Sequence, residues 1–182
     1  AEVEAKTLIE EMSQQELSRV DGNSYTALHL ATKHSNEGVV KVLTKKMTSE
    51  SINASNNSGG TALHLAVAPE VIETIVWPLL DTMDTRAISA SNNVGQTALH
   101  LAISNRKAAI AERLVDLMTP EAINSVSRAT GKTALYSAIE RGMEKVAIKL
   151  IEIMSSDAIN RPNSVGDTAL HLAAQNGMDE VC

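Results

Sequence analysis

The sequence predicts an all-α solenoid of stacked helix-turn-helix units joined by hairpin-like connectors, and three observations carry that prediction. The hexapeptide Thr-Ala-Leu-His-Leu-Ala occurs at 26–31, 61–66, 97–102 and 168–173, with a looser copy, Thr-Ala-Leu-Tyr-Ser-Ala, at 133–138. The copies lie 35, 36, 36 and 35 residues apart. Self-similarity at a fixed period of this size marks an array whose units bury one continuous core by stacking. Each full period also holds two apolar stretches at helical spacing, then a polar connector with a glycine in a constant place.

The chain enters mid-period. Leu8, Ile9 and Met12 stand at helical spacing, so 1–25 reads as a partial repeat that supplies a second helix without a first. Full repeats follow at 26–60, 61–96, 97–132 and 133–167. The stretch 168–182 is again partial, because Gly177 to Cys182 matches Gly142 to Ala147 and then stops. Two cut ends lead us to expect a fragment of a longer array, although all of 1–182 forms a single repeat domain.

Within a period the threonine can cap a first helix, whose apolar residues lie on nearly all sides, as suits a helix pressed between neighbours. The second helix carries its apolar stripe at Val39, Val40, Leu43 and Met47 and at the equivalent positions of each repeat. Lys41, Lys45, Glu112 and Lys149 fall on the wet face. The Met47, Met83, Met118 and Met154 column reads as gap-filling core. The repeat 61–96 has an extra residue near Val67 to Glu70, and Pro78 falls within its second helix. An interior proline costs about 3 kcal/mol, so a kink or a late helix start is expected there.

The connectors, Thr48 to Gly60, Asp84 to Gln96, Thr119 to Lys132 and Ser155 to Asp167, are polar. Each carries an isoleucine to anchor the loop, in Ile52-Asn53, Ile88-Ser89, Ile123-Asn124 and Ile159-Asn160. Gly59, Gly95, Gly131 and Gly166 stand two residues before the next threonine, where a tight turn needs positive φ. The extra residue of 97–132 lies in its connector, between Asn124 and Gly131.

Composition narrows the function classes. With no Phe, one Trp and two Tyr in 182 residues, burial falls to Leu, Ile, Val, Ala and Met. A net charge of -6 argues against nucleic acid, whose binding needs clustered Lys and Arg. No apolar run approaches the roughly 20 residues of a spanning helix, so no membrane insertion is expected. Glu2, Glu4, Glu10 and Glu11 interrupt the stretch where a signal peptide would be basic and then apolar. The single cysteine, Cys182, cannot close an internal disulfide and fits a reducing compartment.

Period, helix pattern and hexapeptide together resemble the ankyrin repeat, whose usual form has Pro where this chain has Ala27, Ala62, Ala98, Ala134 and Ala169. The connectors here are lengthened by two or three residues relative to the common period of about 33. The resemblance implies a scaffold for protein-protein interaction, non-catalytic and without cofactor or metal, that binds a protein partner on its concave face, with a monomer favoured. The style of Met118 to Asn124, Met-Thr-Pro-Glu-Ala-Ile-Asn, is similar to arrays of obligate intracellular bacteria. That implies a cytoplasmic protein, or one secreted into a host cytosol to act on host proteins. A targeting or regulatory repeat arm of a larger enzyme or toxin is the alternative, and a structural spacer a third.

The four histidines His29, His64, His100 and His171 share one repeat position, so a metal or catalytic role would demand the same ligand in every layer. The resemblance assigns them to structure, each imidazole bonding the capping threonine and the neighbouring connector backbone. His34 lies outside the motif and is expected to face solvent. Ser and Thr abound without a nucleophile elbow or a phosphate loop.

Positions that vary between matching copies carry the better functional hint. Just before the threonine stand Tyr25, Gly60, Gln96, Lys132 and Asp167. At the end of the first helix stand Lys33 and His34, Ala68 and Pro69, Ser104 and Asn105, Glu140 and Arg141, and Gln175 and Asn176. The resemblance places both columns on the concave side. The candidate partner-binding set is therefore Tyr25, Lys33, His34, Gln96, Ser104, Asn105, Lys132, Glu140, Arg141, Asp167, Gln175 and Asn176. Trp77 either fills the gap made by Pro78, which is preferred, or anchors a second partner. The looser hexapeptide at Tyr136 and Ser137 is expected to make a less stable layer.

Overall fold

The computed structural model describes residues 2–163 and 165–178. Cys182 and the stretch 179–182, expected to open a second helix, lie outside the described residues. The described elements are helices and turns, and the only β pairing among them is isolated bridges.

The chain forms two compact units, Ala1–Ala90 and Ser91–Cys182. The first holds α1 (Glu2–Glu11), α2 (Gln14–Leu17), α3 (Ala27–Lys33), α4 (Glu37–Lys46), α5 (Ser49–Ile52), α6 (Ala62–Ala66), α7 (Val76–Thr82) and α8 (Thr85–Ile88). The second holds α9 (Ala98–Ser104), α10 (Ala108–Leu117), α11 (Pro120–Ile123), α12 (Ala134–Glu140), α13 (Glu144–Ile153), α14 (Ser156–Ile159) and α15 (Ala169–Asn176).

In the first unit α3 packs on α4 and α6, and α4 on α1 and α7. In the second α9 packs on α10 and α12, α12 on α13 and α15, and α10 on α13. Within their units α3, α9 and α12 thus each touch their own partner and the inner helix of the next repeat, which is why their apolar residues run nearly all round. Leu28, Leu63, Leu99 and Leu135 are fully buried, and so are Leu43, Leu79, Leu114 and Leu150 on the second helices. Each such leucine contributes roughly 1.5–3 kcal/mol of transfer free energy. The methionine column Met47, Met83, Met118 and Met154 is buried among them as core.

The connectors differ from the polar loops read in the sequence. Each of the five opens with a four-residue helix, namely α2, α5, α8, α11 and α14. Ser13, Thr48, Asp84, Thr119 and Ser155 cap these helices, each side chain accepting the N–H three residues on. That satisfies a donor the helix cannot bond itself. Leu17, Ile52, Ile88 and Ile123 plug the last position into the core. The chain then turns back through isolated antiparallel bridges, such as Ser55 with Thr61 and Ser91 with Thr97, giving the hairpin character. Gly59, Gly95, Gly131 and Gly166 take positive φ at the tips, and Ser24 takes φ 61° in the same place.

The proline of repeat 61–96 produces a late start rather than a kink. Glu73–Ile75 is a turn of 3₁₀ helix and α7 begins only at Val76. Pro78 therefore sits in the first turn, where a missing N–H costs no intrahelical bond. The extra residue falls in the link after α6, whose Val67 and Val71 are buried.

Candidate functional site

The hexapeptide builds the frame on which the candidate residues stand. Thr26 caps α3 by accepting the His29 N–H at 3.4 Å, and the His29 Nδ1 accepts in return from the Thr26 N–H at 3.2 Å and from its hydroxyl at 2.9 Å. Nδ1 is thus the acceptor, and Nε2 carries the proton it donates to the Gly60 carbonyl at 3.1 Å. The neutral ring fits this place. Burial holds the His29 pKa below its ordinary value, opposed by the Gly60 carbonyl and the charge of Asp21. His64, His100 and His171 repeat the threonine contact, with Oγ1 to Nδ1 distances of 3.0, 2.9 and 2.8 Å.

The expected bond to connector backbone fails at His100. Its Nε2 is buried without a partner. The Lys132 carbonyl, the counterpart of that of Gly60, accepts from the Ser127 N–H at 3.0 Å, as the Gly60 carbonyl does from the Asn56 N–H at 2.9 Å. Burial lowers the His100 pKa to about 4, and the nearby main chain of Lys132 and Ser125 offsets this only in part. In the next repeat Tyr136 replaces the histidine and reaches onward instead, its hydroxyl accepting from Asn163 Nδ2 at 2.9 Å.

Four of the five turn tips are each organised by one side chain. Asn56 Oδ1 accepts from the N–H groups of Ser58 and Gly60 at 2.9 and 3.0 Å. Asp21, Asn92 and Asn163 do the same in their own turns. Neighbouring tips join through backbone, Asn57 N–H to Asn23 O at 3.0 Å in the first unit and Ala129 N–H to Val94 O at 3.2 Å in the second. The asparagine after the anchoring isoleucine also has a role: Asn53 and Asn124 accept the N–H of the next cap, Asp84 at 3.3 Å and Ser155 at 3.0 Å.

On this frame the two candidate columns meet at an offset of eight residues. In the first unit the half-buried Tyr25 ring packs edge-on against His29, with centroids 5.6 Å apart at 87°. Lys33 Nζ lies 5.7 Å from the centre of the Tyr25 ring. In the second unit Lys132 Nζ pairs with Glu140 Oε1 at 2.6 Å and lies 5.3 Å from the centre of the Tyr136 ring. Asp167 and Gln175, at the same offset, are joined by no hydrogen bond or ion pair. Gln96, Ser104, Asn105 and Arg141 are half-buried, whereas His34, Gln175 and Asn176 are exposed. Asn176 donates to the Ile139 carbonyl at 3.4 Å.

Shallow grooves flank these columns. His34, Ser35 and Glu37 line one of about 570 Å³ in the first unit, and Arg141, Arg106 and Lys145 line one of about 370 Å³ in the second. Two arginines went unnoticed in the sequence. Arg106 donates to the Arg141 carbonyl at 2.8 Å, and Arg128 to the Asn93 carbonyl at 3.1 Å. The available signal was register: Arg106, at φ 57°, stands where other repeats have Gly142 and Gly177. Trp77 is 39% exposed, so more than half of its surface is covered. Among the described residues no three His, Cys, Asp or Glu side chains gather as a metal site, and no helix is long and apolar enough to cross a membrane.

Helical hairpins stacked in phase, presenting columns of side chains beside shallow grooves, define a helical repeat scaffold. A family model described as ankyrin repeats (3 copies) matches residues 3–85, 47–124, 73–158 and 117–182. The chain belongs to the ankyrin repeat family. Among solved structures it is similar to the ankyrin repeat domain of Bcl-3, described as a unique member of the IkappaB protein family. The identity is 26% and the TM-score 0.69, over 97% of this chain and 76% of that one. No curated protein matches the sequence. Ankyrin repeats are in general protein-protein interaction modules and are typically non-catalytic.

Proposed function

We propose that the chain is a non-catalytic protein-binding module that holds its partner on the tip and helix-end columns, the concave side of ankyrin arrays. The observation that carries this reading is the pairing of the columns, Lys33 over Tyr25 and Lys132 with Glu140. Side chains that differ from repeat to repeat are held in these places by a recurring frame. Rigid placement lowers the ordering cost of binding, which is how a shallow surface reaches useful affinity. The connector style resembling arrays of intracellular bacteria extends the proposal to a host protein as partner, met in a host cytosol.

Selection of a displayed random-peptide library on the folded chain tests it. Selected peptides should lose at least about tenfold in affinity when Gln96, Lys132 and Asp167 are changed together to alanine, since a few anchors carry most binding energy. Unchanged binding would move the site off the columns.

A further inference from the structure

The two lysines held near tyrosine rings differ in one respect. Lys132 is already neutralised by Glu140 at 2.6 Å, whereas Lys33 is in no ion pair among the described residues. The Lys33 ammonium is exposed in the last turn of α3, 5.7 Å from the centre of the Tyr25 ring. That ring is itself held edge-on by His29, which is locked between Thr26 and the Gly60 carbonyl. The Tyr25 hydroxyl has no hydrogen-bond partner among the described residues, and His34 next to Lys33 is exposed. Asp21, the carboxylate of the same connector, is engaged by the Asn23 and Tyr25 N–H groups at 2.8 and 2.9 Å.

Two donors, the Lys33 ammonium and the Tyr25 hydroxyl, therefore stand here on a fixed base, lacking the carboxylate that Glu140 supplies in the second unit. We propose that Tyr25 and Lys33 form a receptor for a carboxylate of the protein partner, so that the first unit selects segments rich in Asp or Glu. This rests on the protein-binding reading above and names the partner's chemistry. An ammonium already placed by its aromatic neighbour loses less freedom on pairing, and a charge-assisted bond to it is stronger than a neutral one.

The test titrates the 182-residue chain with an acetylated octaglutamate peptide and, as control, octaglutamine, followed by amide and aromatic NMR. Octaglutamate should shift Tyr25 and Lys33, with a response that weakens as salt rises. Lys33→Gln should weaken binding about tenfold, and Lys33→Arg should retain it. Glu140→Gln, which frees Lys132, should add a second set of shifts around Lys132.

Equal shifts from both peptides, or octaglutamate affinity unchanged by Lys33→Gln, would overturn the proposal. The two readings fail separately. Library-selected peptides that need the columns but bind Lys33→Gln like the parent would remove the acidic class and leave the module function. Selected peptides indifferent to the column changes would remove the module placement itself.

Discussion

At the scale of the residue, Thr32 shows what the repeat tolerates. It is wholly buried in α3 with its hydroxyl unpartnered, while Val67, Ile103 and Ile139 hold the same register in the other full repeats. An unsatisfied buried hydroxyl costs about 1–3 kcal/mol, and valine has nearly the same shape. Thr32→Val should therefore stabilise the chain by about 1 kcal/mol, raising the denaturant midpoint with an unchanged slope. An unmoved midpoint would mean that the hydroxyl is satisfied by backbone of its own helix.

At the scale of the element, the connector turns differ in what they can lose. Asn56→Ala removes the acceptor for two N–H groups and should cost about 2 kcal/mol. Ser127, in the equivalent place of the lengthened turn, is buried with an unpartnered hydroxyl. Ser127→Ala should leave stability level or slightly improved. Parallel urea titrations decide the contrast, and equal losses would contradict it.

These elements also show what was legible beforehand. The inner and outer helices were, because apolar spacing and a capping threonine report them independently. The late start of α7 was half legible, since Pro78 excludes a regular interior but does not choose between a kink and a shift. The helices α5, α8, α11 and α14 escaped, because four residues are too few to show a period. Only the Ser, Thr or Asp after each methionine hinted at them. The candidate columns could be found by their variation from copy to copy. Their meeting, Tyr25 with Lys33 and Lys132 with Glu140, depends on how the hairpin tip lies against the inner helix, which no sequence spacing records. The extra residue of 97–132 could be counted, but the unpartnered His100 Nε2 could not be foreseen.

At the scale of the whole molecule, the buried histidines set an acid limit. His100 falls from an ordinary 6.5 to about 4 in the folded chain, and His29 shifts in the same direction. Above pH 6.5 both states hold these rings neutral and stability is complete. Below it the unfolded chain takes up protons that the folded chain refuses, so stability falls until the folded pKa is passed. For His100 alone the loss approaches roughly 3 kcal/mol. Glu16 and Glu37, held below 4.5 by Ser13 and by Lys41 with Thr74, are protonated only at lower pH and act in the same direction. Unfolding free energy measured from pH 7 to pH 4 should drop steeply in the parent and less in a His100→Gln variant that retains its helical circular dichroism. Parallel profiles would remove His100 from the acid limit.

Three of the links between repeats share one arithmetic. His29 with Gly60, Asn53 with Asp84 and Asn124 with Ser155 all span an offset of 31 residues. Recombination between two copies of the hexapeptide adds or removes a whole period, and every such donor then still faces an acceptor of the same kind. A cut out of phase strands both. Genes of this type can therefore change the length of the surface they encode by duplication or loss, without inventing a contact, while the surface residues diverge one by one on a lattice inherited ready-made.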